Sequence, residues 1–126
     1  MADAKKFTAL PAEVKTALAE TDALTNNAGI IQPLEMVNDR TMDQINYVVD
    51  ANFDGSFTLI KTFLLGLLKR PEARILTISC IGDYAPVPRH SIYVASKASI
   101  KLLTKKFRGS TKCRLVLGSK HGEFRG

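Results

Sequence analysis

The chain has 126 residues, 45% hydrophobic and 24% charged, with a formal charge of +6 and two cysteines. That length suits one domain able to bury about two-thirds of its unfolded surface. No apolar run approaches the ~18 residues of a membrane span, residues 1–6 lack the apolar core of a secretory signal, and Cys80 and Cys113 show neither disulfide-scaffold numbers nor metal-ligand spacing. The expectation is a reduced, cytoplasmic setting without membrane or metal. The charge is uneven: residues 101–126 hold eight lysines and arginines against Glu123, a balance of +7 that leaves the first 100 residues at −1. A basic end can indicate nucleic acid. Here no stacking aromatics or binding motif accompany it, so it reads as a solvated tail and no nucleic-acid partner is expected.

Residues 1–9 give no strong signal. Pro11 suits the first turn of a helix, and residues 12–20 are rich in helix formers, with Val14 and Leu18 on one face. Residues 21–25 read as a short strand that delivers Asn26. The following Asn27-Ala28-Gly29 suits an irregular backbone whose polar groups take side-chain partners, and taken alone it is a turn without a ligand. Residues 32–40 read as loop. Thr41-x-x-Gln44 has the form of a capping box, and a helical pattern runs from there to about Leu68. Ile45, Val48, Val49, Phe53, Phe57, Ile60, Leu64 and Leu68 hold its apolar face, while Asn52 and Gly55 are weak helix formers at which a bend is expected. Arg70-Pro71 ends it, since the residue before proline is pushed away from helical angles.

Ile75-Leu76-Thr77-Ile78 is a short, β-branched apolar run, the mark of a buried strand. A loop punctuated by Gly82, Asp83, Pro86 and Pro88 follows. The spacing then predicts a helix over residues 91–107, with Ile100, Leu103 and Phe107 as its apolar stripe, Lys101, Lys105 and Lys106 solvated, and Gly109 as its stop. Residues 113–117 have the makings of a last strand. Within the helix, Tyr93 and Lys97 stand four apart and so share a face. A free phenol titrates near ~10, and proton transfer at neutral pH wants a value near ~7, a difference of roughly 4 kcal/mol that a shielded cation helps to supply. Tyr-x-x-x-Lys is common by chance, and the ordinary reading of such a pair is a half-buried tyrosine beside a solvated lysine.

Three stretches in order change that weighting. Tyr93-Val-Ala-Ser-Lys97-Ala resembles the active-site helix of the short-chain dehydrogenase/reductase family, Asn26-Asn27-Ala28-Gly29 resembles its Asn-Asn-Ala-Gly signature, and Asn52-Phe-Asp-Gly55-Ser-Phe57 is similar to the segment holding its helix asparagine. The resemblance runs from about residue 8 to 107. It implies an α/β, partial Rossmann-like fold, about three parallel strands flanked by two long helices and one short one. A single incomplete domain over residues 1–126 is implied, its ends (1–7 and 118–126) frayed. The implied activity is an NAD- or NADP-dependent oxidoreductase interconverting an alcohol and a ketone by hydride transfer. By resemblance, Tyr93 is the acid/base, Lys97 its activator and a ligand of the nicotinamide ribose, Asn52 a relay that holds a water beside the lysine, and Asn26, Ala28 and Gly29 part of the cofactor pocket.

Two departures bear on activity. The family's serine thirteen residues before the tyrosine falls on Cys80, and a thiol is a weaker, bulkier donor to a substrate oxygen than a hydroxyl. Ser79 is adjacent, but successive strand side chains point to opposite faces. The family also opens with a glycine-rich turn for the cofactor pyrophosphate; this sequence contains neither Gly-x-x-x-Gly-x-Gly nor Gly-x-Gly-x-x-Gly. Impaired catalysis is therefore expected. The competing readings are a non-catalytic remnant and a dimerisation module, a homo-oligomer formed through helices 42–69 and 91–107. The strand bearing Asn26 is expected at an exposed edge.

Overall fold

The computed structural model describes residues 4–18, 20–85, 88–107, 114–119 and 122–123. Its sheet has four strands in the order β1 (Ala23–Asn26), β2 (Arg74–Ser79), β3 (Arg114–Ser119) and β4 (Gly122–Glu123). The first three are parallel, with Leu24 opposite Ile75 and Ile75 opposite Leu115, and β4 turns back antiparallel on β3. The three expected parallel strands are thus joined by a fourth, two-residue strand. Gly109, Cys113 and Pro86, and the side chains of Leu18 and Phe107, lie outside the described residues.

Among the described residues four α-helices accompany the sheet: α1 (Ala4–Leu18), α2 (Met42–Val49), α3 (Gly55–Leu67) and α4 (Ser91–Phe107). The helix expected to be short is α1, and it has 15 residues, beginning at Ala4 and running through Pro11 rather than starting there. Proline inside a helix removes one backbone bond. Leu10 and Val14, packed against the core on either side of it, supply the compensating burial.

Residues 42–67 form one helical rod interrupted where the weak helix formers stand. Thr41 caps α2 reciprocally: its Oγ1 accepts from the Gln44 N–H at 3.3 Å, and its own N–H donates to Gln44 Oε1 at 2.9 Å. Between α2 and α3, Asp50–Asp54 make a π-helical turn centred on Asn52. Such a turn carries one extra residue and leaves a backbone carbonyl without its usual partner. The rod closes in tightened bonds from Lys69 N–H to Gly66 O and Arg70 N–H to Leu67 O, just ahead of Pro71.

The core is one cluster of Ile60, Phe63, Leu67, Ala73, Ile75 and Ile100, bordered by Leu10, Val14, Leu24 and Leu103. Along β2 burial alternates: Ile75, Thr77 and Ser79 are buried beneath the helices, whereas Leu76 and Ile78 on the other face are only half-buried. Thr77 and Thr104 share a 3.1 Å hydroxyl bond across that packed interface, and Thr104 also donates to the Ile100 carbonyl. The helices thus cover one face of the sheet. No helix among the described residues is long and apolar enough to cross a membrane.

Candidate active site

The candidate residues gather where β1, β2 and the N-terminal half of α4 meet. Asn26 ends β1, and its Nδ2 donates to the Ser56 carbonyl at 3.3 Å, tying the strand to the start of α3. The loop beyond it, Asn27 to Gly29, lies at the surface. Asn52 is fully buried in the π-helical turn, and its amide is heavily used. Its Oδ1 accepts from the Ile30 N–H at 2.7 Å, and its Nδ2 donates to the Ile30 carbonyl at 2.9 Å and to Ser96 Oγ at 3.0 Å. Ser96 in turn donates to the Tyr93 carbonyl at 2.7 Å. A continuous chain of bonds therefore fixes the loop after β1, the π turn and the turn of α4 that bears Tyr93.

Lys97 is 96% buried, one turn beyond the half-buried Tyr93. Its Nζ donates to the carbonyls of Ala28 and Ile78 at 3.4 and 3.5 Å, long bonds from a cation that has left water. A Cβ on Gly29 would come within 2.6 Å of that Nζ and 3.0 Å of Asn52 Oδ1. Glycine at 29 thus lets the ammonium and the amide oxygen approach the same point beside the loop backbone, where a side chain would push the lysine tip aside and crowd the amide.

Cys80 follows the last residue of β2, half-buried and extended, and opens the loop toward Tyr84. Ser79 faces the other way, its Oγ donating to the Lys97 carbonyl at 3.4 Å beneath α4, as strand alternation requires. One expectation fails here. Lys101 is 8% exposed, not solvated, and its Nζ stands 3.6 Å from the ring centroid of Tyr84. This cation–π contact pins the loop after Cys80 onto α4. Sequence reading missed it, and it also missed Ser96 as a partner of Asn52. The serine sits between Tyr93 and Lys97, and helical spacing alone could have placed it on the buried side.

At the opposite end of β1 the chemistry is superficial. Arg70 bonds Asp22 at 2.6 Å and Glu20 at 3.3 Å, and Lys15 reaches Glu20 at 3.0 Å. The Lys15 ammonium, with Arg70 behind it, holds the Glu20 carboxyl below its ordinary range, and Asp22 raises the Arg70 guanidinium. Among the described residues no group of three or more His, Cys, Asp or Glu side chains could hold a metal ion.

The residues present fit one part of a dinucleotide. The glycine-bounded approach of Lys97 and Asn52 beside Ala28 and Gly29 offers a ribose hydroxyl both a cation and a polar backbone. The pyrophosphate part has no glycine-rich cradle in these 126 residues.

Comparison with known proteins gives the family and the fold. A family model described as short chain dehydrogenase matches residues 1–115. An uncharacterised short-chain type dehydrogenase/reductase, y4eK of Sinorhizobium fredii, is 30% identical over 102 residues, 81% of this chain and 40% of that protein. Among solved structures, ligand-free aldohexose dehydrogenase of Thermoplasma acidophilum superposes with a TM-score of 0.84 at 21% identity, covering 93% of this chain and 47% of that one. A metagenomic short-chain oxidoreductase in complex with NADP gives 0.83 at 20% identity, covering 94% and 55%. The chain spans less than half the length of the curated relative it matches. The fold is the partial Rossmann-like α/β arrangement, and the chain belongs to the short-chain dehydrogenase/reductase family.

Proposed function

We propose that these residues form the active-site portion of an NAD(P)-dependent oxidoreductase that interconverts a small-molecule alcohol and its ketone. The observation that supports this best is the convergence of buried Lys97 Nζ and Asn52 Oδ1 at Gly29, one helical turn from Tyr93. In the reductive direction the Tyr93 phenol gives its proton to the substrate oxygen, and in the oxidative direction the phenolate removes it. The Lys97 ammonium, withdrawn from water, favours that phenolate electrostatically and adds a donor for a ribose hydroxyl. Asn52 fixes the loop and α4 through its side chain, and a water held beside Lys97 at the π turn would pass protons onward. The Cys80 thiol occupies the substrate-oxygen donor position and polarises it weakly. When bound, a nicotinamide cofactor supplies or accepts the hydride, with Asn26, Ala28, Gly29 and Lys97 lining its pocket. Cofactor fluorescence on the purified chain tests this. Saturable quenching by NADH or NADPH, weakened in Lys97→Met, is expected, whereas a flat titration up to millimolar cofactor would overturn the reading.

A second reading, pairing of two copies through helices 42–69 and 91–107, is favoured by the apolar side chains those helices expose. Phe57, Leu65 and Leu68 fall on one side of α3 by helical spacing, and Leu102 is exposed on α4. Sedimentation should then show a discrete dimer that Leu65→Glu dissociates. A monomer at every concentration would end that reading.

A further inference from the structure

The segment that follows β2 is fastened to α4 at two points, and Cys80 lies between them. On one side, Ser79 Oγ donates to the Lys97 carbonyl at 3.4 Å. On the other, the Tyr84 ring lies against Lys101 Nζ, its centroid 3.6 Å from the ammonium. Lys97 and Lys101 are one turn apart on the helix, a rise of about 6 Å. The same number of steps and one more separates Ser79 from Tyr84, and as extended chain that stretch would span about 17 Å. The chain must therefore fold back between its two fastenings. It does so in the short helical turn Ile81–Asp83, closed by bonds from the Tyr84 and Ala85 N–H groups to the Ile81 carbonyl at 3.0 and 3.2 Å. With both ends held, the place of the residue leading into the turn is set as well.

In the second fastening the cation is the buried partner. Lys101 is 8% exposed and Tyr84 is 59% exposed, so the ammonium is the post and the ring closes on it. Lysine is almost never buried to that degree without a partner. Withdrawing its charge from water costs free energy, which a π face offsets only while ring and cation stay together. The loop gains little from apolar burial, since Ile81 and Ala85 are exposed. A segment of that kind opens locally at low cost unless a specific contact closes it.

We propose that Lys101 and Tyr84 are a positioning pair whose contact sets where the Cys80 thiol stands relative to Tyr93. Tyr93, Lys97 and Lys101 follow one another at four-residue steps along α4. The acid/base phenol, its ammonium and the post for the donor loop thus belong to one rigid element. The pair needs no contact with substrate or cofactor, because it acts through Cys80. The inference rests on the reading of Cys80 as the substrate-oxygen donor.

The test follows alkylation of Cys80 in the whole chain by iodoacetamide, a neutral reagent, read by peptide mass so that Cys113 is counted separately. Lys101→Met and Tyr84→Leu should each raise the Cys80 rate about fivefold or more, and the double variant should be no faster than either. Lys101→Arg and Tyr84→Phe keep a cation and a ring, and should react as the parent does. Removing a cation disfavours thiolate, so acceleration in Lys101→Met reports release of the loop and not the change of charge. Leu10→Ala, a truncation on α1 beside the core, controls for general loosening and should leave the Cys80 rate unchanged. An unchanged rate in Lys101→Met or Tyr84→Leu, or an equal rise in Leu10→Ala, would overturn the proposal. Cofactor titration keeps the two readings apart. Saturable NADH or NADPH quenching in the parent should persist in Lys101→Met at the same midpoint, with measurable turnover losing kcat. A weakened midpoint would make Lys101 part of the cofactor pocket and overturn its role as a positioning residue. A flat titration in the parent beside the expected alkylation pattern would sink the oxidoreductase reading, and the catalytic purpose of the pair with it, while leaving the fastening in place.

Discussion

Two buried asparagines lie at either end of the same local structure and are used in opposite ways. Asn52 spends its amide on three partners, the Ile30 N–H, the Ile30 carbonyl and Ser96. Among the described residues Asn26 makes one side-chain bond, to Ser56, and its buried oxygen makes none. Both residues are polar, small and equally conspicuous in the sequence. Their surroundings separate them: Asn52 sits where a loop, a π turn and a helix meet, and Asn26 ends β1, the outermost strand among the described residues. A saturated amide is a latch holding parts of this chain together, and the Asn26 oxygen takes no such part among the described residues.

The sharpest way to break that contrast is to delete each amide. Asn52→Leu should strand the Ile30 backbone groups in a buried setting and cost about 3 kcal/mol, seen as a fall of roughly 10 °C in the thermal midpoint. Asn26→Leu removes one long bond and an unsatisfied oxygen together, so it should cost less than about 1 kcal/mol. Equal losses in the two variants would mean that the distinction between the two amides is false. Next in size, Cys80→Ser restores a hydroxyl donor at the end of β2 and should raise carbonyl turnover by up to about a hundredfold wherever turnover is measurable. No gain would place the substrate oxygen elsewhere.

A smaller effect concerns the loop after Cys80. Tyr84→Leu removes the ring beneath Lys101 and should destabilise the fold by about 1 kcal/mol, with Tyr84→Phe close to the parent. If the phenylalanine variant is as damaged as the leucine one, the hydroxyl and not the ring face is what matters. The smallest effect lies at the far end of β1. The folded-state Glu20 carboxyl is lowered by Lys15 and Arg70, so its contribution is present above the ordinary glutamate pKa and is lost as pH falls through the lowered value. Being on the surface, it should be small and fade with salt. Chemical denaturation of Glu20→Gln against the parent, at neutral pH and again in mild acid, should show the gap closing on acidification. A gap that widens instead would reverse the assigned sign.

Much of this was legible because the signals are local. The Thr41–Gln44 box, the Arg70-Pro71 stop, the alternating burial of β2 and the Asn-Asn-Ala-Gly loop each depend on residues adjacent in the chain. Even the bend at Asn52 could be placed, since weak helix formers interrupt an otherwise continuous apolar face. What escaped depends on tertiary neighbours. Lys101 reads as a surface lysine until Tyr84, from a separate loop, covers it. The start of α1 ahead of Pro11 is set by Leu10 and Val14 meeting α3, which overrides a local helix breaker. The unequal use of the Asn26 and Asn52 amides belongs to the same class, because a residue's bonds are visible only once its neighbours are in place.

The central claim is that a buried ammonium at Lys97 acts on the phenol one turn before it. The most direct measurement is an NMR titration of the chain labelled at its three tyrosines, read at Tyr93 in the parent and in Lys97→Met. The account predicts that Tyr93 ionises below the ordinary tyrosine value near ~10 and moves up when the ammonium is removed. A Tyr93 titration that is the same with and without the Lys97 charge would contradict it.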